Sequence, residues 1–214
     1  MENKIATAKE RLFEWTIDDV LDGVRRISLV TAPATQSDFM LFSQDELKFK
    51  VTNTDKKVIT GIAMRPNMHI PRRDADGELY YGFFSEETVT RASELFFRNG
   101  QNTNTTNLEH EFDVDGIYVF ESWLVIDPES DKSKSLGMSD VRKGDWIVSM
   151  KVENDLIWNE FLKTGLIKGF SVEVKATENQ VVNTQDELFA CIEVILNSNA
   201  SDEDKFNQIS AEIK

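Results

Sequence analysis

The sequence contains one cysteine and two histidines, and it has no apolar run of about 18 residues. A single cysteine excludes an intramolecular disulfide framework and a multi-cysteine zinc site, and it is typical of a reducing compartment. Two histidines make a histidine-rich metal centre unfavourable, so we expect neither metal nor cofactor. The opening residues lack the apolar segment of a signal peptide. We therefore expect a soluble, intracellular protein without a membrane span.

Basic residues are also scarce relative to acidic ones. The 214 residues include 24 Lys and Arg against 38 Asp and Glu, which gives a formal net charge of −14. A chain this acidic lacks the basic surface of a nucleic-acid-binding protein, so we expect no nucleic-acid partner. With 40% hydrophobic residues, the chain is long enough for one domain with a sizeable core and terminal appendages.

Strand and helix patterns are mixed without regular βαβ alternation. Strands are predicted where β-branched and aromatic residues cluster, at 27–31, 46–52, 58–64, 116–126, 145–152 and 166–175. A helix is predicted after Ser85, whose side chain suits an N-cap and is followed by two acids, and a short helix is predicted after Asn154. These patterns predict an α+β fold with a mostly antiparallel sheet.

Both ends of the chain differ in pattern from the middle. Apolar residues recur at roughly helical spacing between residues 7 and 24, which predicts a helical N-terminal segment over 1–24. After Thr184 no strand pattern remains, and two acidic helical stretches follow. We therefore divide the chain into the N-terminal segment, a main domain over 25–183 and an acidic helical appendage over 184–214.

Two residues stand in contexts that favour chemistry. The sequence has no Gly-rich phosphate loop, GxSxG, HExxH or CxxC pattern. His110 ends a polar loop just before a strand, and a histidine can take and return a proton near neutral pH. Ser171 follows Gly169 and Phe170 within a strand, where a glycine permits close backbone approach. Taken alone, however, the local patterns favour a structural or exposed histidine and an ordinary strand serine at these two positions.

An ordered set of motifs resembles a known family. The motifs lie between roughly residues 20 and 175 and include the helix that follows Ser85. The remaining members are Val58–Met64, Pro71–Asp74, Glu78–Tyr81, Asn107–His110, Glu121–Trp123, Ser149–Asn154 and Lys168–Glu173. Together they resemble the prohead, or capsid-maturation, serine proteases of tailed bacteriophages. The resemblance implies the fold of herpesvirus assemblins, a β-barrel-like core wrapped by helices, and makes residues 25–183 the protease domain.

The same resemblance implies roles for the two candidate residues. Ser171 matches the serine nucleophile of the family, and His110 matches its general base. His110 would remove the proton from the Ser171 hydroxyl as it attacks the scissile carbonyl. Backbone amides would stabilise the resulting oxyanion, and Arg72 or Arg73 could assist them.

The third member of the catalytic group stays open at this stage. Related proteases place an acid or a second histidine near an element like Ser28–Ala34. Here that element precedes the catalytic pair, as in a circular permutation, and Arg25 and Arg26 stand beside it. Glu121, on the strand after His110, is the first choice for the third member. Glu173, or a Ser-His dyad with only a backbone or water partner, are the alternatives.

The resemblance also implies a biological setting. The protein would be a serine endopeptidase that cleaves the phage scaffold, the major capsid protein precursor and possibly itself during procapsid maturation. It would act in the host bacterial cytoplasm, inside the procapsid, with self-association as a further possibility. The alternative is a catalytically inactive procapsid scaffold or binding module with the same fold.

Overall fold

The computed structural model describes residues 11–31, 49–103, 106–181, 191–198 and 200–212. The chain divides into two compact units, Met1–Asn179 and Gln180–Lys214. In the second unit, residues 191–196 are helical, and a further helix, α2, follows at Asp202–Glu212. The Ser201 hydroxyl accepts a hydrogen bond from the Asp204 amide at 3.2 Å and caps α2. The division lies four residues before the boundary predicted at residue 184.

The first unit is built mainly from short strands in three sheets. In chain order the strands are β1 (Arg11–Thr16), β2 (Gly23–Val30), β3 (Phe49–Asn53), β4 (Val58–Met64), β5 (Ile70–Arg73), β6 (Leu79–Phe83), β7 (Asn107–Leu108), β8 (Phe112–Asp113), β9 (Ile117–Leu124), β10 (Trp146–Val152), β11 (Gly169–Lys175) and β12 (Thr177–Gln180). Their orders are β12-β1-β6-β5, β3-β4-β10-β9 and β11-β2-β7-β8. The pairs β1–β6 and β2–β7 are parallel, whereas the pairs β2–β11, β3–β4, β4–β10, β5–β6, β7–β8 and β9–β10 are antiparallel.

The α+β class and the mostly antiparallel pairing are confirmed, whereas the barrel-like closure is wrong for the described part of the chain. Each sheet there is open and ends in two strands that have a neighbour on one side only. A barrel requires a ladder that continues from the last strand back to the first. Linear sequence patterns identify strands but do not reveal that ladder.

One long helix in this unit packs against the sheets. The helix α1 spans Glu86–Arg98, and the Ser85 hydroxyl accepts a hydrogen bond from the Thr88 amide at its start. Its buried face includes Phe96, whose ring meets Trp146 of β10 edge to face at 5.5 Å. This confirms the predicted helix and its cap. The short helix predicted after Asn154 is also present, as a π-helical segment at Ile157–Leu162.

The predicted helix over residues 7–24 is wrong. Its described part contains β1, a turn and the start of β2. Phe13, Trp15 and Ile17 recur at every second residue, which suits a strand as well as a helix. Residues 11–14 pair with β6 in a parallel ladder, and a Cβ atom on Gly82 of β6 would lie only 2.0 Å from the Trp15 ring. The glycine thus leaves the space in which the indole packs.

The strand pair β2–β11 places alternate side chains on two faces. Ile27 and Leu29 of β2 are buried in the hydrophobic core, together with Phe170 of β11. Because side chains alternate along a strand, Ser28 and Ser171 lie on the opposite face. That face carries the candidate site.

Candidate functional site

Ser28 and Ser171 face each other across two adjacent strands. In the antiparallel ladder between β2 and β11, Ser171 is registered with Ser28, and Glu173 with Arg26. Directly opposed residues share one face of a sheet, with Cβ atoms about 4.5–5.5 Å apart. The two serines, Arg26 and Glu173 therefore form one polar surface, and β11 is the outer strand of that sheet.

His110 lies in the tight turn that joins β7 to β8. The Glu111 amide donates to the Leu108 carbonyl at 3.0 Å and closes the turn. Glu109 and His110 have φ angles of 51° and 58°, as at the two central positions of a type I′ turn. Glycine adopts this left-handed conformation freely, and asparagine, aspartate and histidine are enriched among the other residues found there, whereas glutamate adopts it at an energetic cost. Neighbouring contacts must offset that cost.

Strand β2 and the residue that follows it, Thr31, supply three contacts to this turn. The Glu109 amide donates to the Leu29 carbonyl at 3.1 Å. The Thr31 amide donates to the Glu109 carboxylate at 2.6 Å. The Ser28 hydroxyl lies 3.0 Å from Nδ1 of His110. The histidine turn is therefore fixed to the strand that pairs with β11.

Burial and nearby charges act on the His110 imidazole in opposite directions. Burial lowers the pKa of His110 below its ordinary value, and this is the largest influence. The carboxylates of Glu173 and Glu109 act to raise that pKa, whereas Arg26 acts to lower it. The net shift is downward, so the imidazole is neutral near pH 7 and able to accept a proton.

The two serines near His110 differ in accessibility. Ser28 is 0% exposed, whereas Ser171 is half-buried. A protein substrate must bring its carbonyl carbon into contact with the attacking oxygen. Of the two hydroxyl groups, that of Ser171 is the one open to such an approach.

Glu121 lies in a different sheet from Ser171 and His110, since it belongs to β9 in the sheet β3-β4-β10-β9. Its carboxylate accepts hydrogen bonds from Lys132 at 2.6 Å and from Ser149 at 2.8 Å. The hydrogen bond from Lys132 is the main cause of its lowered pKa. The role of Glu121 as third catalytic member stays a prediction, while Glu173 and Glu109 are the carboxylates whose charges act on His110.

The two arginines considered for the oxyanion have different surroundings. Arg73 donates to the Gly77 carbonyl at 2.6 Å within its own hairpin. The Arg72 guanidinium lies 5.3 Å from the ring centroid of Trp15, and burial lowers its pKa. Arg72 and Ser171 both border a cavity of about 290 Å³. Of the two arginines, Arg72 is therefore the one on a surface shared with the candidate nucleophile.

Sequence reasoning missed Ser28 as the partner of His110. The two residues are 82 positions apart, so no local spacing relates them. The Ser28–Ala34 element was recognised only as the region in which related proteases place a third catalytic residue. The serine at the start of that element was the one sequence feature that could have indicated a partner for His110.

The described part of the chain contains neither a membrane-spanning helix nor a metal-binding cluster. No helix within the described ranges is long and apolar enough to cross a membrane. Those same ranges contain no cluster of three His, Cys, Asp or Glu residues arranged to hold a metal ion.

Comparison with known families decides the relationship of the chain. A family model described as "Putative phage serine protease XkdF" matches residues 46–180. The chain belongs to this family. The match covers more than half of the 214 residues and includes both His110 and Ser171, whereas β1 and β2 precede it. No curated protein and no solved structure gives a significant match to the chain.

Proposed function

We propose that this member of the XkdF family is a serine endopeptidase in which Ser171 is the nucleophile and His110 is the general base. The observation that carries the proposal is the position of Ser28. It is the direct cross-strand neighbour of Ser171 and lies within hydrogen-bond distance of His110. The two candidate residues thus share one neighbour although 61 positions separate them in the chain.

The proposed reaction is acyl transfer in two steps. Nε2 of His110 takes the proton from Oγ of Ser171 as that oxygen attacks the scissile carbonyl carbon. The tetrahedral intermediate collapses with cleavage of the C–N bond, and His110 returns the proton to the leaving amine. A water molecule, deprotonated in turn by His110, then attacks the acyl ester, and the imidazolium returns this proton to Oγ of Ser171 as the ester bond breaks.

The electrostatics of the site support this role for His110. An efficient general base is unprotonated at the working pH but still basic enough to accept a proton. Burial keeps the imidazole neutral at pH 7, and the two carboxylates limit how far its pKa falls. Arg72, at the edge of the shared cavity, is our candidate for assisting the oxyanion.

We further propose that the substrates are the scaffold and the major capsid protein precursor of a phage, and possibly this protein itself. Cleavage would take place in the host bacterial cytoplasm, inside the procapsid, with an assemblin-like use of the serine and histidine. This part of the proposal rests on the family relationship and on the resemblance to prohead proteases.

The experiment is replacement of the nucleophile during procapsid assembly. With Ser171→Ala, procapsids should assemble while scaffold and capsid precursor remain uncut. Ser122→Ala is the matched control, because Ser122 is also a half-buried strand serine but lies in β9 of another sheet. Normal processing with Ser171→Ala would remove Ser171 as the nucleophile and favour the non-catalytic procapsid module.

A further inference from the structure

The hydroxyl group of Ser28 contacts the imidazole of the proposed base at one particular nitrogen. Ser28 Oγ lies 3.0 Å from His110 Nδ1, and the side chain of Ser28 is completely buried. A neutral imidazole carries its proton on either Nδ1 or Nε2, and the hydrogen bond made by one nitrogen selects the state of the other. The partner of Nδ1 therefore determines whether Nε2 can act as a base.

We propose that Ser28 is a positioning residue that accepts a hydrogen bond from Nδ1–H of His110 and so keeps Nε2 unprotonated for Ser171. In serine proteases a buried carboxylate usually orients the histidine in this way. Here a neutral hydroxyl group occupies the place beside Nδ1. The inference rests on the proposed function, because it assigns Nε2 as the atom that accepts the Ser171 proton.

The backbone around His110 shows that its orientation is imposed by β2. Two further hydrogen bonds hold the turn: the Glu109 amide donates to Leu29 of β2, and the amide of Thr31, the residue after β2, donates to the Glu109 side chain. They hold Glu109 and His110 in the left-handed conformation. The imidazole therefore meets Ser28 through a turn that is fixed at three points.

Burial separates the roles of the two serines. Ser28 must be considered as a nucleophile alongside Ser171, because its hydroxyl lies within hydrogen-bond distance of the imidazole. A substrate carbonyl cannot reach a hydroxyl group that is 0% exposed, so Ser28 is suited to orient the histidine. Ser171, half-buried on the outer strand β11, is suited to attack.

The first test reads the tautomer of His110 directly. Nitrogen-15 NMR of the imidazole rings is simple to assign, because the sequence contains only His69 and His110. Above the pKa of His110, the wild type should carry the proton on Nδ1. Ser28→Ala should shift the population towards Nε2–H while the signals of His69 stay unchanged. A wild-type ring protonated on Nε2, or a tautomer that is unaffected by Ser28→Ala, would overturn the inference.

The second test measures the rate at which a fluorophosphonate labels Ser171 as a function of pH. Loss of one orienting hydrogen bond should lower the plateau rate by about tenfold in Ser28→Ala. Ser28→Thr, which keeps the hydroxyl group, should restore part of that rate. Ser133→Ala is the matched control, because Ser133 is equally buried but lies in the short helical turn Lys132–Lys134.

The outcomes separate this inference from the proposed function. If wild-type Ser171 is not labelled at all, the proposed function fails, whatever the tautomer. If wild-type Ser171 is labelled but Ser28→Ala leaves either the tautomer or the plateau rate unchanged, the positioning role alone fails. Label found on Ser28 itself would contradict the division of roles between the two serines.

Discussion

Ser28 and Ser171 are direct cross-strand neighbours on β2 and β11, yet only Ser171 is exposed enough to meet a substrate. His110 is held beside the buried serine, at 3.0 Å from its hydroxyl oxygen. The strand pair thus brings together a shielded hydroxyl that can orient an imidazole and an accessible one that can attack.

The pH dependence of Ser171 labelling should report the titration of His110. Burial lowers the pKa of His110 below its ordinary value of 6.5, and the protonated imidazole cannot act as a base. The labelling rate should therefore rise with pH along a sigmoid whose midpoint lies below 6.5. A midpoint above 6.5, measured with fluorophosphonate under pseudo-first-order conditions, would contradict the environment described for His110.

Charge changes beside His110 should move that midpoint in opposite directions. The Glu173 carboxylate acts to raise the pKa of His110 and the Arg26 guanidinium acts to lower it. Glu173→Gln should shift the midpoint to lower pH, and Arg26→Met should shift it to higher pH. The plateau rate at high pH should change little in both variants, because neither change removes the base. Shifts in the same direction would show that these charges do not act through His110.

Substitution of Glu121 separates a catalytic from a structural role. Its contacts with Lys132 and Ser149 are partly exposed, so Glu121→Gln should lower the free energy of unfolding by about 0.5–1.5 kcal/mol. The rate of Ser171 labelling should remain near that of the wild type. Urea unfolding and fluorophosphonate labelling measure the two effects. A large loss of labelling in a stably folded variant would make Glu121 the third catalytic member.

The buried ion pair between Arg65 and Asp145 should be important for stability. The guanidinium donates twice to the Asp145 carboxylate, at 3.0 and 2.9 Å, and the exposed fractions of the two side chains are 1% and 0%. Arg65→Met would leave a buried, uncompensated carboxylate and should cost about 3–5 kcal/mol. Urea unfolding measures this cost.

An exposed ion pair provides the control for that experiment. Lys143 lies 3.4 Å from Glu86, and its side chain is 66% exposed. Lys143→Met should change the free energy of unfolding by at most about 1 kcal/mol. If the two variants unfolded at the same urea concentration, the buried ion pair would contribute no more to the free energy of unfolding than the exposed one.

Local sequence patterns predict those elements whose determinants lie within a few residues. Ser85 caps α1 because its own hydroxyl reaches the amide three positions later. The N-terminal segment was mispredicted because the spacing of its apolar residues suits both a helix and a strand. Its conformation depends on pairing with β6, which follows more than 60 residues later.

The candidate site was likewise predictable only where its determinants lie close together in the sequence. Ser171 and His110 were recognised from their local contexts and from the resemblance to a protease family, and their roles remain proposals. The contact between Ser28 and His110 depends on the register of β2 and on a turn with two positive φ angles. Nearby residues do not reveal the register, and they do not predict the turn, since its central pair Glu109–His110 is not one of the Asn-Gly, Asp-Gly or Gly-Gly pairs preferred there.

Mass-spectrometric mapping of the fluorophosphonate adduct tests the central claim most directly. The wild type, His110→Ala and Ser171→Ala would be treated with the probe at neutral pH and digested, and the modified residue would be identified. We predict stoichiometric modification of Ser171 in the wild type, a strongly reduced rate in His110→Ala and no adduct in Ser171→Ala. Modification of another serine, or equal labelling of all three proteins, would contradict the account.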